Sequence, residues 1–368
     1  MSKVITHLNT KKVTFDISLT KKCNFRCSYC YAKDDLKNET MSRDNLAKMV
    51  KIIKEIQERY YDLNEWKIQL NIYGGEPLLT LDEIKYMAKE MEDYTFVIVT
   101  NGSLIEENMD KILKIRNKLG TDLKFNVSYD YTLQNITRKK NTYDLVRNNI
   151  KLLDEYGIYV HTISTFTAEN ILSFYDNIID WNNLRNELNN ANFNFRYNID
   201  DNLVSTDYPI NERELRTVLE NTNRYIQENG INRRLIRYNS GYGTKQDIKT
   251  SKEMSSDIVK HICAFNENGD IYTGIRVIFL PDEVRIADKY GNVNDSVDTI
   301  LENKDRILKQ IKEASATNSE QCANCPNFCK PLFARTLTVS NGNIVEANRK
   351  YSDTWCKIHD LLHEYELQ

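Results

Sequence analysis

Cys23-Asn24-Phe25-Arg26-Cys27-Ser28-Tyr29-Cys30 follows closely on Val13-Thr14-Phe15-Asp16-Ile17-Ser18-Leu19, and the fold is decided where these two runs meet. In the first run apolar residues alternate with polar ones, the period of a β-strand. The three cysteines, four and three residues apart, therefore sit on the loop leaving a strand's carboxyl end. A structural zinc site takes a closed set of four protein ligands. Three thiolates with no fourth nearby suit a four-iron cluster, whose usual complement is four, and leave one iron open. A zinc loop, or three unrelated buried thiols, is the competing reading.

Working outward, strand-like runs recur at 13–19, 67–73, 95–100, 122–129, 158–165 and 192–198. Amphipathic helical patterns separate them, at 42–60 (Leu46, Met49, Val50, Ile53, Ile56), 82–92, 105–118, 142–156 (Leu145, Val146, Ile150, Leu153) and 168–187. Six βα units in succession argue for parallel strands joined by right-handed crossovers. Residues 211–228 read as one more helix. The polar stretch 230–256, with Asn239-Ser240-Gly241-Tyr242-Gly243, reads as a bridge or lid. A second block starts near 257, with a hairpin signal at Asn268-Gly269-Asp270 and the remaining cysteines.

CxxxCxxC at the end of a first strand resembles the signature of the radical S-adenosylmethionine (SAM) enzymes. The resemblance implies an α/β fold, a partial (β/α)6 TIM-like barrel over 13–200. A bridging region over 201–256 and a small C-terminal α+β auxiliary-cluster domain over 257–368 would follow. Cys23, Cys27 and Cys30 would hold a [4Fe-4S] cluster whose open iron chelates SAM, the cofactor carrying the hard chemistry. Phe25 and Tyr29, between the cysteines, suit a shielding role. In such barrels functional residues gather after the strand carboxyl ends. There the second strand ends Tyr73-Gly74-Gly75-Glu76-Pro77, similar to the family's SAM-amino-group element. The third ends Thr100-Asn101-Gly102 and the fourth Ser128-Tyr129-Asp130. Asn101, Ser128 and Asp130 are then expected along the ribose and carboxylate of SAM, helix capping being the alternative. Arg138 is expected to pair with the SAM carboxylate. Thr165 and Asn170 are weaker candidates. Tyr131 stands where the family pattern has glycine.

Cys322, Cys325, Cys329 and Cys356 resemble the SPASM and twitch extensions of this family, which hold auxiliary clusters. A full SPASM set has seven cysteines, one of them at the place occupied here by Gly274; five remain, so one auxiliary [4Fe-4S] cluster is expected. Cys263 is then a substitute ligand or a thiol that donates a hydrogen atom to a substrate radical. A structural zinc site is the alternative for this block. His261 and His359 lie close to cysteines in sequence but read as ordinary polar residues.

The 368 residues carry a formal charge of −3, which excludes the global basic field of a nucleic-acid binder. No apolar run is long enough to span a bilayer and no signal-peptide core opens the chain, so a cytoplasmic location is expected. Eight cysteines in two groups then read as metal ligands rather than disulfides. Residues 1–12 are an extension too short for the winged-helix leader-binding domain of many such maturases. The resemblance implies hydrogen abstraction from a ribosomally made peptide (crosslinking, epimerisation or oxidation). It also implies an electron donor such as flavodoxin or ferredoxin, and a separate leader-binding protein if the peptide has a leader. A twitch-type enzyme acting on a small molecule, or a zinc-stabilised scaffold without catalysis, are the alternatives.

Overall fold

The computed structural model describes residues 11–199, 208–238, 261–275, 277–279, 282–315, 337–340, 342–347, 352–365 and 367. All six expected strands are present: β1 (Lys11–Ser18), β2 (Trp66–Tyr73), β3 (Thr95–Thr100), β4 (Leu123–Ser128), β5 (Tyr159–Phe166) and β6 (Phe195–Ile199). Each pairs in parallel with the next. A further strand, β7 (Ile236–Tyr238), continues the sheet beside β6, inside the stretch that its composition marks as a bridge. Three residues are too few to show a period.

β8 (His261–Phe265) pairs in parallel with the opposite edge of β1, and β9 (Asp270–Tyr272) and β10 (Gly291–Asn292) follow antiparallel. One sheet thus holds described strands from both sides of the expected boundary at 257. Its order is β10-β9-β8-β1-β2-β3-β4-β5-β6-β7. The stretch from β8 through β1 to β7 has the order of an eight-stranded parallel barrel. Among the described residues β7 and β8 are not neighbours, so the described strands leave a seam between them. A separate hairpin pairs Leu337–Ser340 with Asn343–Ala347.

Strand alternation divides the sheet into two unlike faces. Val13, Phe15, Ile17, Ile68, Leu70, Ile72, Phe125, Phe195 and Tyr197 are buried in one core with the helices. That layer comprises α1 (Arg43–Tyr60), α2 (Leu81–Glu90), α3 (Met109–Leu119), the single turn α4 (Gln134–Thr137), α5 (Tyr143–Glu155), α6 (Phe174–Glu187) and α7 (Glu212–Glu228). The residues between them, such as Asn71, Lys124, Asn126, Arg196 and Asn198, are half-buried and polar. A parallel sheet covered on both faces would be apolar on both. Here the second face lines a lumen that water reaches.

The helices follow from their apolar spacing and caps. In α1, Leu46, Met49, Val50, Ile53 and Ile56 are buried, and the Ser42 hydroxyl caps the start by accepting the Asn45 N–H at 3.2 Å. In α5, Leu145 proves exposed, and the core face carries Asn149 beside Val146, Ile150 and Leu153. Asn149 Nδ2 donates to the Gly102 carbonyl at 2.8 Å, so this helix grips the loop after β3.

In the C-terminal half, α8 (Asp282–Asp288) buries its last carboxyl. Asp288 accepts from the Thr273 N–H and hydroxyl, both at 2.7 Å, yet burial pushes its pKa up to about 7. The folded state therefore holds a proton that the unfolded chain releases near pH 4. Stability should fall as pH rises from about 4 to 7 and level off above. Asp288→Asn is expected to flatten this slope, as read by denaturant melts across that range; an unchanged slope would discount the residue.

Candidate active site

Loops at the carboxyl ends of β1 to β4 meet around the three cysteines. The loop after β1 is seated on the glycines after β2: Gly75 N–H donates to the Thr20 carbonyl and Glu76 N–H to the Lys22 carbonyl, both at 2.7 Å. A Cβ on Gly75 would lie 2.1 Å from the Lys22 oxygen, and one on Gly74 2.5 Å from the Thr20 oxygen. Gly74 also has a φ of +141°, which side chains disfavour. Both positions require glycine because two backbones touch there. Gly75→Ala should destabilise this seat by about 1–3 kcal/mol and lower iron bound at the Cys23 loop up to tenfold. Iron analysis of anaerobically purified protein checks this; full iron content would contradict it.

Side chains complete the stitching. Glu76 is fully buried, and its carboxylate accepts from the Thr100 hydroxyl (2.6 Å) and from the N–H groups of Asn101 (2.8 Å) and Leu78 (3.0 Å). Asn101 Nδ2 donates to Asn24 Oδ1 at 2.8 Å, and Asn24 Nδ2 to the Ser103 hydroxyl at 2.9 Å. On the β4 side, Ser28 N–H donates to the Thr137 carbonyl at 2.8 Å. Lys21, 4% exposed, forms ion pairs with Asp35 at 2.8 Å and with Glu267 of the β8–β9 turn at 3.2 Å. This ties the base of the loop to the C-terminal half.

Asp130 is the hub of the far side. It is fully buried and accepts from the hydroxyls of Tyr29 and Thr137 (both 2.6 Å), from the Thr165 N–H (3.1 Å) and from the Ser164 hydroxyl (3.4 Å). Arg138 Nη1 donates to the Tyr29 phenol at 2.6 Å, and its guanidinium stands 6.0 Å from the Phe25 ring centre. Burial holds the Tyr29 phenol well above its ordinary pKa, so it stays protonated between the two. Arg138 Nε is buried without a hydrogen-bond partner.

The expected cofactor residues thus separate into two groups. Glu76, Asn101 and Asp130 are buried, with carboxylates or amide engaged in holding loops together, and Pro77 is buried with them. Ser128, Arg138, Tyr29, Gly74 and Gly75 keep partial exposure around the cysteines. For Asp130 this departs from the expected contact with SAM, because four donors already surround its oxygens. The polar residue at a strand end announces itself in sequence; whether it faces a ligand or a neighbouring loop does not.

Cys23, Cys27 and Cys30 are half-buried and form no disulfide. Burial pushes Cys27 up to about 11 and Cys23 upward, with Arg138 opposing both. The Phe25 N–H points at Cys23 Sγ at 3.4 Å. Among the described residues no three Cys, His, Asp or Glu side chains converge on a single-ion site. Three thiols on one loop, a cation beside them and a glycine-lined backbone opposite fit a cluster carrying SAM. These cysteines would hold the iron, losing their protons on binding, and the cofactor would supply the radical.

Cys322, Cys325 and Cys329 lie outside the described residues. Cys356 is half-buried on α10 (Asp353–Glu364), which follows α9 (Val297–Ser315) and the hairpin. Cys263 is 4% exposed in the main core, in register with Phe15 of β1. Burial pushes its thiol up to about 12. Alternation places it with Phe15 on the helix-facing side, which is a correction to the expectation of a hydrogen-atom donor at the barrel mouth. His359 is buried against Trp355, and burial lowers it to about 3.

Residues 17–177 match the sequence family described as the Radical SAM superfamily. An S-adenosylmethionine-dependent nucleotide dehydratase of Fibrobacter sp. (strain UWH6) is 36% identical over 27% of this chain and 30% of its own length. The radical SAM cyclopropyl synthase TigE of Paramaledivibacter caminithermalis is 25% identical over 92% of this chain and 71% of its own. A probable GTP 3′,8-cyclase of Methanococcus maripaludis is 31% identical over 39% of this chain, and the match spans 46% of the cyclase. Among solved structures, anSMEcpe with bound AdoMet and the Cp18Cys peptide superposes with a TM-score of 0.66 at 17% identity, covering 97% of this chain and 98% of that one. Streptococcus suis SuiB bound to precursor peptide SuiA gives 0.61 at 16% identity, over 86% and 70%. These likenesses share the partial-barrel fold.

Proposed function

We propose that this chain, whose residues 17–177 match the Radical SAM superfamily, abstracts a hydrogen atom from a peptide substrate. The reach of the TigE match across both halves of the chain, 92% of it, supports the radical chemistry. The peptides bound to anSMEcpe and SuiB support the peptide substrate. Cys23, Cys27 and Cys30 hold the SAM-binding cluster, with Ser128, Arg138 and the Gly74-Gly75 backbone as the SAM contacts. One auxiliary cluster on Cys322, Cys325, Cys329 and Cys356 completes the set. A flavodoxin or ferredoxin delivers the electron, and a separate protein recognises any leader. No helix among the described residues is long and apolar enough to cross a membrane.

A second reading, a nucleotide or other phosphorylated small molecule, is favoured by the dehydratase and cyclase matches to the N-terminal half. The test is anaerobic protein with dithionite and SAM, assayed for 5′-deoxyadenosine, iron and sulfide. Formation of 5′-deoxyadenosine, stimulated by an added peptide, is the expected result. Zinc in place of iron, or intact SAM, would end the radical reading; stimulation by nucleotides alone would replace the peptide.

A further inference from the structure

The lumen is cationic in a way that the SAM site does not use. Lys12 of β1, Lys124 of β4, Arg196 of β6 and Arg237 of β7 each occupy a lumen-facing parity position near the amino end of their strand. Arg196 and Arg237 are register partners on neighbouring parallel strands, two like charges side by side. None of the four is in an ion pair among the described residues. Arg196 Nε is buried with no hydrogen-bond partner. Among the described residues Asp16 is the carboxylate that raises Lys12, and it accepts from Asn71 at 2.9 Å.

Lys124 and Arg196 act on Lys12, and Arg237 acts on Arg196; Lys124 and Arg196 are half-buried, Lys12 and Arg237 exposed at the edge of the group. Desolvation, then Lys124 and Arg196, push Lys12 down to about 8, although its side chain still reaches solvent. Desolvation with Arg196, Arg237 and Lys124 holds His161 neutral, down to about 3. Like charges gathered in a partly desolvated space repel one another, and this arrangement is relieved when a counter-charge enters. Lys124 lies four residues below Ser128 at the rim, about 13 Å at strand rise. An anion held by these side chains would therefore present the far end of its molecule to the cysteine loop.

We propose that the floor of the lumen is a receptor for a multiply charged anionic group, a phosphate chain or clustered carboxylates, that anchors the substrate below the SAM site. This rests on the lumen being the substrate chamber of the function proposed above. Calorimetry on the full chain, with inorganic tripolyphosphate and with hexaglutamate as probes, tests it. One saturable site is expected, weakened at least tenfold in both Arg196→Gln and Arg237→Gln, with thermal midpoints not lowered. Tighter binding of tripolyphosphate identifies phosphate, and tighter binding of hexaglutamate identifies an acidic peptide. No saturable binding, or undiminished affinity in both variants, would overturn the proposal. Anion binding requires no electron, so intact binding alongside absent 5′-deoxyadenosine would reject the radical reading and leave the receptor standing.

Discussion

Cys27→Ala should abolish reductive SAM cleavage and remove about four irons per chain, while any iron on the proposed C-terminal cysteine set stays. Cys27 is the middle thiol of the triad, on a loop that is fixed at both ends. Gly75 and Glu76 hold its start and Thr137 holds Ser28 behind it. With the loop so restrained, no other described cysteine is free to swing in: Cys263 is locked in the core and Cys356 is held on α10, packed against that core. Two thiolates cannot retain a cubane whose fourth corner must stay open for SAM. Iron and sulfide analysis with anaerobic chromatography of the SAM products checks the prediction. Undiminished 5′-deoxyadenosine would sink the assignment of this loop.

Asp130→Ala should lower both stability and SAM affinity, although Asp130 itself is sealed from solvent. Removing the carboxylate takes the acceptor from Tyr29, Ser164 and Thr165 and leaves the Thr137 hydroxyl only the Leu133 carbonyl. Hydrogen bonds to a charged acceptor are worth about 1.5–3 kcal/mol each. Their losses overlap, so about 3 kcal/mol or more is expected in total. Tyr29 then loses its anchor, and with it Arg138 loses the phenol that fixes the guanidinium beside Phe25. SAM affinity should fall at least tenfold. Asp130→Asn, which keeps one acceptor oxygen, should recover part of the stability. Thermal melts and equilibrium SAM binding read the two effects separately; an unchanged SAM affinity in the alanine variant would remove Asp130 from the site.

Much of this was legible because β1, β2, β4 and β6 alternate cleanly. Val13, Phe15 and Ile17 fall under the helices while Asp16 turns to the lumen, and the same parity holds along β2, β4 and β6. The cysteine spacing and Gly74-Gly75 carry local signals, since close backbone approach leaves no room for a Cβ. Tyr131 was not legible. It stands in a glycine position with φ at +51°, a backbone cost of about 1–2 kcal/mol. Burial of its ring 4.6 Å from Tyr129, with its hydroxyl 2.5 Å from the Thr162 hydroxyl, offsets that. Only the tertiary surroundings reveal the compensation. The lumen cations escaped notice for another reason. Lys12, Lys124, Arg196 and Arg237 are scattered over the chain and form no local motif. Parity compared strand by strand would have found them.

The seam between β7 and β8 has one more implication. A closed hoop can be entered only by something with an end to thread through it. A split hoop can be straddled from the flank by the middle of a long chain. For the peptide substrate proposed above, reach along the chain would then cease to be a filter, and selection would pass to what a few of its residues display at the slit.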